Sequence, residues 1–415
     1  MNNHLFKLNK LNVYNSIVNL SQLVFEVTDK CNLSCKYCCY SDLYKGYDQR
    51  IGTNMSFDNA KVIIDYLFDI WKENHVPGVT SPVNIGFYGG EPLLNITLIK
   101  KVIDYLEGSV NVGKKFIYNM TTNGLLLNKY IDFLIKNKFT LTISFDGDEF
   151  GQSYRVDHSG FNSFQRVFNN IKYFQDNYPD YFKKYIHFNT VLHNRNNVES
   201  IIKFFKSNFN SSPSISQLSS VGIRKDKLNE FFIMYQNLSE SIDKSNNCEA
   251  LEAELFLKSP RIFSLTNFIY RESGNHFTTY NNIFNSQNLY KPTGTCLPFS
   301  KKMFVTVNNK ILSCERISQK KSLGCIKDGQ VILDMEAIAK TYNRNIFRYI
   351  NQCIKCGYKE QCMYCVYQID EKENKMCPYF CDKDSVNIAK ESYLQMLRDS
   401  PEYYELLLDN TSIKY

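Results

Sequence analysis

Short apolar, β-prone runs alternate with longer amphipathic stretches over the first half of the chain. The strand-like runs are Leu23–Thr28, Val83–Tyr88, Lys115–Thr121, Leu141–Phe145, His187–Leu192 and Ser214–Leu218. Between them, apolar positions recur at helical spacing in Asn59–Trp71, Leu98–Leu106, Lys129–Lys136, Phe164–Phe174 and Val198–Phe205. Strands separated by helices of this length form βα units on a parallel sheet. Six such units predict an α/β fold, a partial (β/α)6 barrel of TIM type over residues 20–219, rather than an open two-winged sheet. Chemistry in barrels of this kind collects at the C-terminal ends of the strands. Four unusual loops occupy those ends. A cysteine triplet follows the first run, Gly89-Gly90-Glu91-Pro92 the second, Thr122-Asn123-Gly124 the third and Asp146-Gly147 the fourth.

Residues 220–290 turn helical and polar, with candidate helices at Leu228–Ile242 and Leu251–Leu257 and no motif; they read as a connecting or substrate-facing segment. Residues 291–385 differ sharply, because nine of the 14 cysteines lie between Cys296 and Cys381. Within them, Met303–Val307 and Lys310–Ser313 flank Asn308-Asn309 and predict a β-hairpin, since Asn tolerates the positive φ of such a turn. A closing helix is expected over Asp384–Leu407, the main element of residues 386–415, with Pro401 as its break.

A chain of 415 residues accommodates a large domain and a smaller one. The formal charge of +7 is spread along it without a basic cluster, which argues against a nucleic-acid partner. Met1 to Lys10 lacks the apolar core of a signal peptide, and no apolar run approaches the roughly 20 residues that cross a bilayer. A soluble, cytoplasmic protein without membrane contact is expected. In a reducing compartment, dense cysteines read as metal or redox sites before disulfides.

The first candidate site is Cys31-x3-Cys35-x2-Cys38, three thiolates on one short loop. A cubane cluster takes one ligand per iron, so three cysteines leave one iron open to a reducible cofactor. Structural zinc takes four ligands, and Cys39, adjoining Cys38, is poorly placed to be the fourth; it reads as a packed thiol. The run Thr28-Asp29-Lys30-Cys31-Asn32-Leu33-Ser34-Cys35-Lys36-Tyr37-Cys38 resembles the signature loop of the radical S-adenosylmethionine (SAM) superfamily. The resemblance implies a 4Fe–4S cluster whose fourth iron is chelated by SAM. Reduction then yields a 5′-deoxyadenosyl radical that abstracts hydrogen from substrate, with an external donor of flavodoxin or ferredoxin type supplying the electron. It further implies that Gly89, Gly90 and Glu91 meet the SAM amine, the glycines allowing close backbone approach. Ser144, Arg155 and Asn189 would face the SAM ribose and carboxylate.

The C-terminal cysteines, Cys353-x2-Cys356-x5-Cys362-x2-Cys365 with Cys377, Cys381, Cys296 and Cys314, resemble the SPASM extension of that superfamily. The last interval of the quartet is two residues where that family has three, and Asn309 stands where it has Gly. The extension implies two auxiliary 4Fe–4S clusters. Cys353, Cys356, Cys362 and Cys377 would hold the outer one; Cys296, Cys314 and Cys365 would hold the inner one, with Cys325 or Cys381 as a fourth ligand or with an open site. Structural zinc remains an alternative for the Cys-x2-Cys pairs, and Cys248 stands alone.

SPASM-bearing enzymes modify ribosomally made peptides or proteins. Residues 25–29 and 38–44 resemble peptide maturases of the Bacteroidetes type, which implies a precursor-peptide substrate and a thioether or carbon–carbon crosslink or a related oxidation. The alternatives are an anaerobic sulfatase maturase that forms formylglycine, an enzyme acting on RNA or a small metabolite, and a non-enzymatic zinc-binding scaffold. About 20 residues precede the first strand, so a separate leader-binding partner or direct peptide binding is expected. Glu315, directly after Cys314, is the candidate catalytic base for the substrate radical's proton.

Overall fold

The computed structural model describes residues 5, 7–75, 80–109, 113–246, 248, 251, 265, 266, 268, 292–359, 362, 364–369 and 376–404. Six parallel strands form its centre: β1 (Gln22–Thr28), β2 (Ser81–Gly89), β3 (Lys114–Thr122), β4 (Thr140–Ser144), β5 (Ile186–Leu192) and β6 (Ser214–Gln217). They pair in sequence order, β1 with β2 through to β5 with β6. All six match the predicted runs to within a residue or two. Residues 23–28 of β1 are buried on both faces, as expected of a parallel strand covered by helices.

The chain opens on α1 (Lys10–Val18), which the sequence reading did not include. The crossovers are α2 (Phe57–Glu73), α3 (Ile96–Glu107), α4 (Leu127–Lys136), α5 (Phe164–Asn177) with the short α6 (Pro179–Tyr185), and α7 (Val198–Phe209). Ser56 caps α2 and Asn197 caps α7, each side chain accepting a first-turn backbone N–H. Ile63, Ile64, Leu67 and Trp71 of α2 lie on one side of that helix and are buried. On the far side of the barrel, Phe145, Phe188, Phe205 and Phe209 pack with ring centroids 4.9–6.4 Å apart.

The helix predicted over Leu228–Ile242 is two helices, α8 (Leu228–Met234) and α9 (Leu238–Asp243). The break falls where Asn237 caps α9 by accepting from the Glu240 N–H. Except for Leu251, the candidate helix Leu251–Leu257 lies outside the described residues.

The predicted hairpin is present as β7 (Met303–Val305) and β8 (Lys310–Leu312), with Asn309 at φ +62°. It extends the barrel sheet, because β7 pairs in parallel with β1 on the side opposite β2. A second hairpin, β9 (Gly324–Lys327) and β10 (Gln330–Ile332), completes a ten-stranded sheet. Then follow α10 (Met335–Ile346), α11 (Ile350–Cys353) and α12 (Lys383–Asp399), the last ending before Pro401. The N-terminal segment is stitched to α10: Asn343 accepts from the Leu8 N–H at 2.9 Å and donates to the Leu8 carbonyl at 2.8 Å. No helix among the described residues is long and apolar enough to cross a membrane.

Candidate active site

The triplet loop leaves the C-terminal end of β1 and is pinned from three sides. Behind it, the Asp29 carboxylate accepts the backbone N–H groups of Ile51 and Thr53, and the Thr28 hydroxyl donates to Thr53 and Asn54. Across from it, the Ser34 and Lys36 N–H groups donate to the Val156 and Tyr154 carbonyls at 2.7 and 3.1 Å. Beyond it, residues 42–45 meet residues 222–227: Lys45 N–H donates to Gly222, Arg224 N–H to Leu43, and Lys227 pairs with Asp42 at 2.9 Å. The polar segment that carried no motif is thus the outer brace of the cysteine loop.

The two glycines after β2 explain a further contact, at the base of the loop. A Cβ on Gly90 would stand 1.9 Å from the Lys30 carbonyl oxygen, and one on Gly89 2.3 Å from that of Thr28. Gly90 and Glu91 donate their N–H groups to those same oxygens at 2.9 and 2.8 Å. The glycines therefore permit close approach, and the partner is the base of the cysteine loop. Glu91 is fully buried. Its carboxylate accepts from the Thr122 hydroxyl at 2.8 Å and from the Asn123 and Leu93 N–H groups at 2.8 and 3.1 Å. Burial pushes its pKa up to about 7. Asn123, held in this way, directs its side-chain amide to Asn32 at 2.7 Å and to the Cys31 sulfur at 3.8 Å.

Cys31, Cys35 and Cys38 are half-buried on this loop. Burial raises the Cys31 thiol and pushes Cys35 up to about 12, while Arg155 acts in the opposite sense on Cys35. A hydrogen bond from Cys39 lowers Cys38, so the neighbouring cysteine is a polar partner of the triplet as well as a packed thiol. Among the described residues, no three His, Cys, Asp or Glu side chains converge on one point as ligands of a single ion would. A cubane instead spreads its thiolates over separate irons. Three thiols on one loop, with Asn123 and cations beside them, suit such a cluster.

Ser144 ends β4 and pairs in register with Asn189 on β5, and Asn189 accepts from the Ser216 hydroxyl at 2.9 Å. Arg155 is buried. Its Nε and Nη2 bind the two oxygens of Asp146 at 2.8 and 3.0 Å. Burial opposes ionisation of Asp146, but Arg155 outweighs it and holds that carboxyl at about 2.

Of the C-terminal cysteines, Cys353 has Cys362, Cys377 and Cys356 near enough to add to the effect of burial, which pushes its thiol up to about 12. Cys381 accepts the Gly357 N–H through its carbonyl at 2.8 Å. Cys365 lies beside Cys296, which reinforces the rise that burial gives its thiol. Cys314 follows β8, its thiol raised to about 11 by burial and by Glu315. Cys325 sits within β9, opposite Lys310 of β8 and Ile332 of β10. Glu315 forms an ion pair with Lys302 at 2.9 Å; burial opposes its charge, but Lys302 prevails and keeps the carboxyl below its usual range.

A model of the radical SAM superfamily matches residues 25–207. Residues 25–207 belong to the radical SAM superfamily. The radical SAM cyclopropyl synthase TigE of Paramaledivibacter caminithermalis is 26% identical over 372 residues, 88% of this chain and 71% of that protein. A cysteine-type anaerobic sulfatase-maturating enzyme of Clostridium novyi is 28% identical over 191 residues, 45% of this chain and 48% of that protein. Among solved structures, native anSMEcpe with bound AdoMet and Kp18Cys peptide superposes with a TM-score of 0.62 at 19% identity, covering 94% of this chain and 99% of that one. Streptococcus suis SuiB bound to precursor peptide SuiA gives 0.53 at 18% identity, covering 91% and 78%. These structural likenesses establish the fold. Membership of the superfamily implies SAM and a 4Fe–4S cluster, and the radical SAM domain sets the triplet where barrel chemistry is expected.

Four partners of the site lay outside the sequence reading: Asp146 as the anion for Arg155, His193, Lys302, and Arg50, which pairs with the buried Glu26 at 3.2 Å and donates to the Asp29 carbonyl at 2.8 Å. Asp146 stood in the noted Asp146-Gly147 loop. The other three carried no sequence signal, because each acts through a partner distant along the chain or on another element.

Proposed function

We propose that this radical SAM enzyme post-translationally modifies a ribosomally made peptide, forming a thioether or carbon–carbon crosslink or making a related oxidation. One observation carries the reading: the likeness to the cyclopropyl synthase spans 372 residues and so runs beyond the barrel into the cysteine-rich end. The two solved structures named above hold peptides, which supports a peptide rather than a small metabolite as substrate. The second reading, anaerobic sulfatase maturation, is favoured by the half-length relative and the anSMEcpe fold.

When bound, SAM and the cluster would supply the chemistry of hydrogen-atom abstraction from the substrate. The chain's own residues do the rest. Cys31, Cys35 and Cys38 hold three irons. Gly89 and Gly90 press the base of that loop against β2, and Glu91 aims Asn123 at Cys31. Ser144 and Asn189 line the ribose side of the SAM site. Cys353, Cys356, Cys362 and Cys377 hold an outer auxiliary cluster, and Cys296, Cys314 and Cys365 an inner one, with Cys325 or Cys381 available as its fourth ligand. Glu315, kept ionised by Lys302, would accept the proton lost from the substrate radical, and an auxiliary cluster would be the one-electron acceptor that this oxidation requires. An external one-electron donor and a separate leader-binding partner complete the system.

The test is to supply a perdeuterated mixed-peptide library with SAM and dithionite to the reconstituted full chain. Deuterium in 5′-deoxyadenosine together with mass-shifted peptides supports the reading. Undeuterated 5′-deoxyadenosine and unchanged peptides would refute peptide modification.

A further inference from the structure

Of the two residues between the second and third triplet cysteines, Lys36 is exposed and Tyr37 is buried. Tyr37 is 9% exposed, and its hydroxyl donates to Asp146 Oδ2. That oxygen also takes Arg155 Nε, while Oδ1 takes Arg155 Nη2 and the Val191 N–H at 2.9 Å. The Arg155 guanidinium lies 5.3 Å over the Tyr37 ring. On the other side, His193 stacks on Tyr37 with ring centroids 5.5 Å apart, and Tyr154 closes edge-on against both. His193 Nδ1 accepts the Arg195 N–H at 3.2 Å, and its Nε2 lies 3.7 Å from Asp146 Oδ2. Asp146 and His193 are wholly buried and Arg155 is 7% exposed. A buried ion pair of this kind is retained at a desolvation penalty, and here it grips one residue of a cysteine loop.

The same segment holds the loop's backbone. The Tyr154 and Val156 carbonyls, on either side of Arg155, accept Lys36 and Ser34 N–H groups. The clamp therefore reaches the loop through main chain and side chain together.

We propose that Asp146 and Arg155 are positioning residues of the triplet: they fix the Cys35–Cys38 turn through the hydroxyl and ring of Tyr37, and Arg155 is not a direct ligand of SAM. The proposal rests on the radical SAM reading of that triplet. It departs from the family expectation for Arg155, because the Nε–Nη2 edge of its buried guanidinium is already committed to Asp146.

The experiment uses the reconstituted full-length holoprotein and the variants Tyr37→Phe, Asp146→Asn and Arg155→Gln. Three quantities are read: the SAM-dependent change in the EPR spectrum of the reduced protein, iron release to a chelator, and the dissociation constant for SAM by equilibrium dialysis. The clamp predicts that Tyr37→Phe and Arg155→Gln share an altered EPR difference spectrum and release triplet iron several-fold faster, with SAM affinity changed less than about threefold. Two results would overturn it. One is a Tyr37→Phe protein with wild-type spectrum and iron release. The other is an Arg155→Gln protein that weakens SAM more than about tenfold, the worth of a lost charge-assisted hydrogen bond, while Tyr37→Phe does not. Tyr37→Phe removes a single oxygen and decides the matter alone if the charge variants fail to fold. A wild type with no iron, or with no response to SAM, would remove the functional reading instead.

Discussion

Glu91 stands at the end of β2, yet both of its carboxylate oxygens serve β3: Oε1 takes the Thr122 hydroxyl and Oε2 the Asn123 N–H, each at 2.8 Å. This fully buried carboxyl ties the second barrel loop to the third, and through Asn123 to Cys31. Its folded pKa, about 7, lies above the ordinary value of 4.5 because of burial. The folded state therefore holds this proton more tightly than the unfolded chain. The contribution of Glu91 to stability is greatest below about 4.5 and falls as pH rises to about 7, by an amount on the order of 3 kcal/mol. Thermal melts of wild type and Glu91→Gln between pH 5 and 8 should show the wild type losing its advantage over the variant as pH increases. A constant difference would contradict the assignment.

Gly90→Ala should be far more damaging than Gly147→Ala. The first places a methyl 1.9 Å from the Lys30 carbonyl oxygen, so the cysteine loop must shift. The second meets nothing within 4 Å and carries only the strain of φ +110°, about 1–2 kcal/mol. Iron content after reconstitution separates them: Gly90→Ala should fail to load the triplet, and Gly147→Ala should load normally.

Asn309→Gly should be neutral or slightly stabilising, and Asn309→Val should cost about 1–2 kcal/mol. Asn309 turns the β7–β8 hairpin at φ +62°, which Gly adopts without strain and a β-branched residue does not. Denaturant midpoints of the three proteins check the order.

Glu315→Gln and Lys302→Met test the proposed base. Both should leave 5′-deoxyadenosine formation unchanged while lowering modified peptide per nucleoside, the first by on the order of 10²-fold or more. Full product yield from Glu315→Gln would limit Glu315 to its ion pair with Lys302.

The barrel was legible because short apolar, β-prone runs alternate with longer stretches of helical period, and all six strands fall where that alternation places them. Long-range chemistry was less legible. Gly89-Gly90 announces a close approach, but nothing in the sequence says that the approaching backbone is that of Thr28–Lys30. The Arg155–Asp146 pair joins residues nine apart, yet its purpose appears only when Tyr37, more than a hundred positions earlier, arrives beside it. Some local signals went unused. Asp328-Gly329 turns β9 into β10 at φ +51° and +71°, the turn its sequence favours. Pro179 opens α6 at the first helical position, where proline is at home. Asn-rich Asn9–Asn19 hides α1, because asparagine favours turns over helix interiors, yet Asn9 and Asn12 cap it reciprocally.

The central claim is that Cys31, Cys35 and Cys38 hold the cluster at which SAM is cleaved. The most direct measurement is anaerobic incubation of reconstituted protein with SAM and dithionite, counting 5′-deoxyadenosine and iron in wild type and in a Cys31/Cys35/Cys38→Ala triple variant. The account predicts nucleoside from the wild type and none from the variant, with iron in the variant near the roughly eight atoms of two remaining cubanes. Nucleoside formation that survives loss of all three cysteines, or an iron count unchanged by their loss, would contradict it.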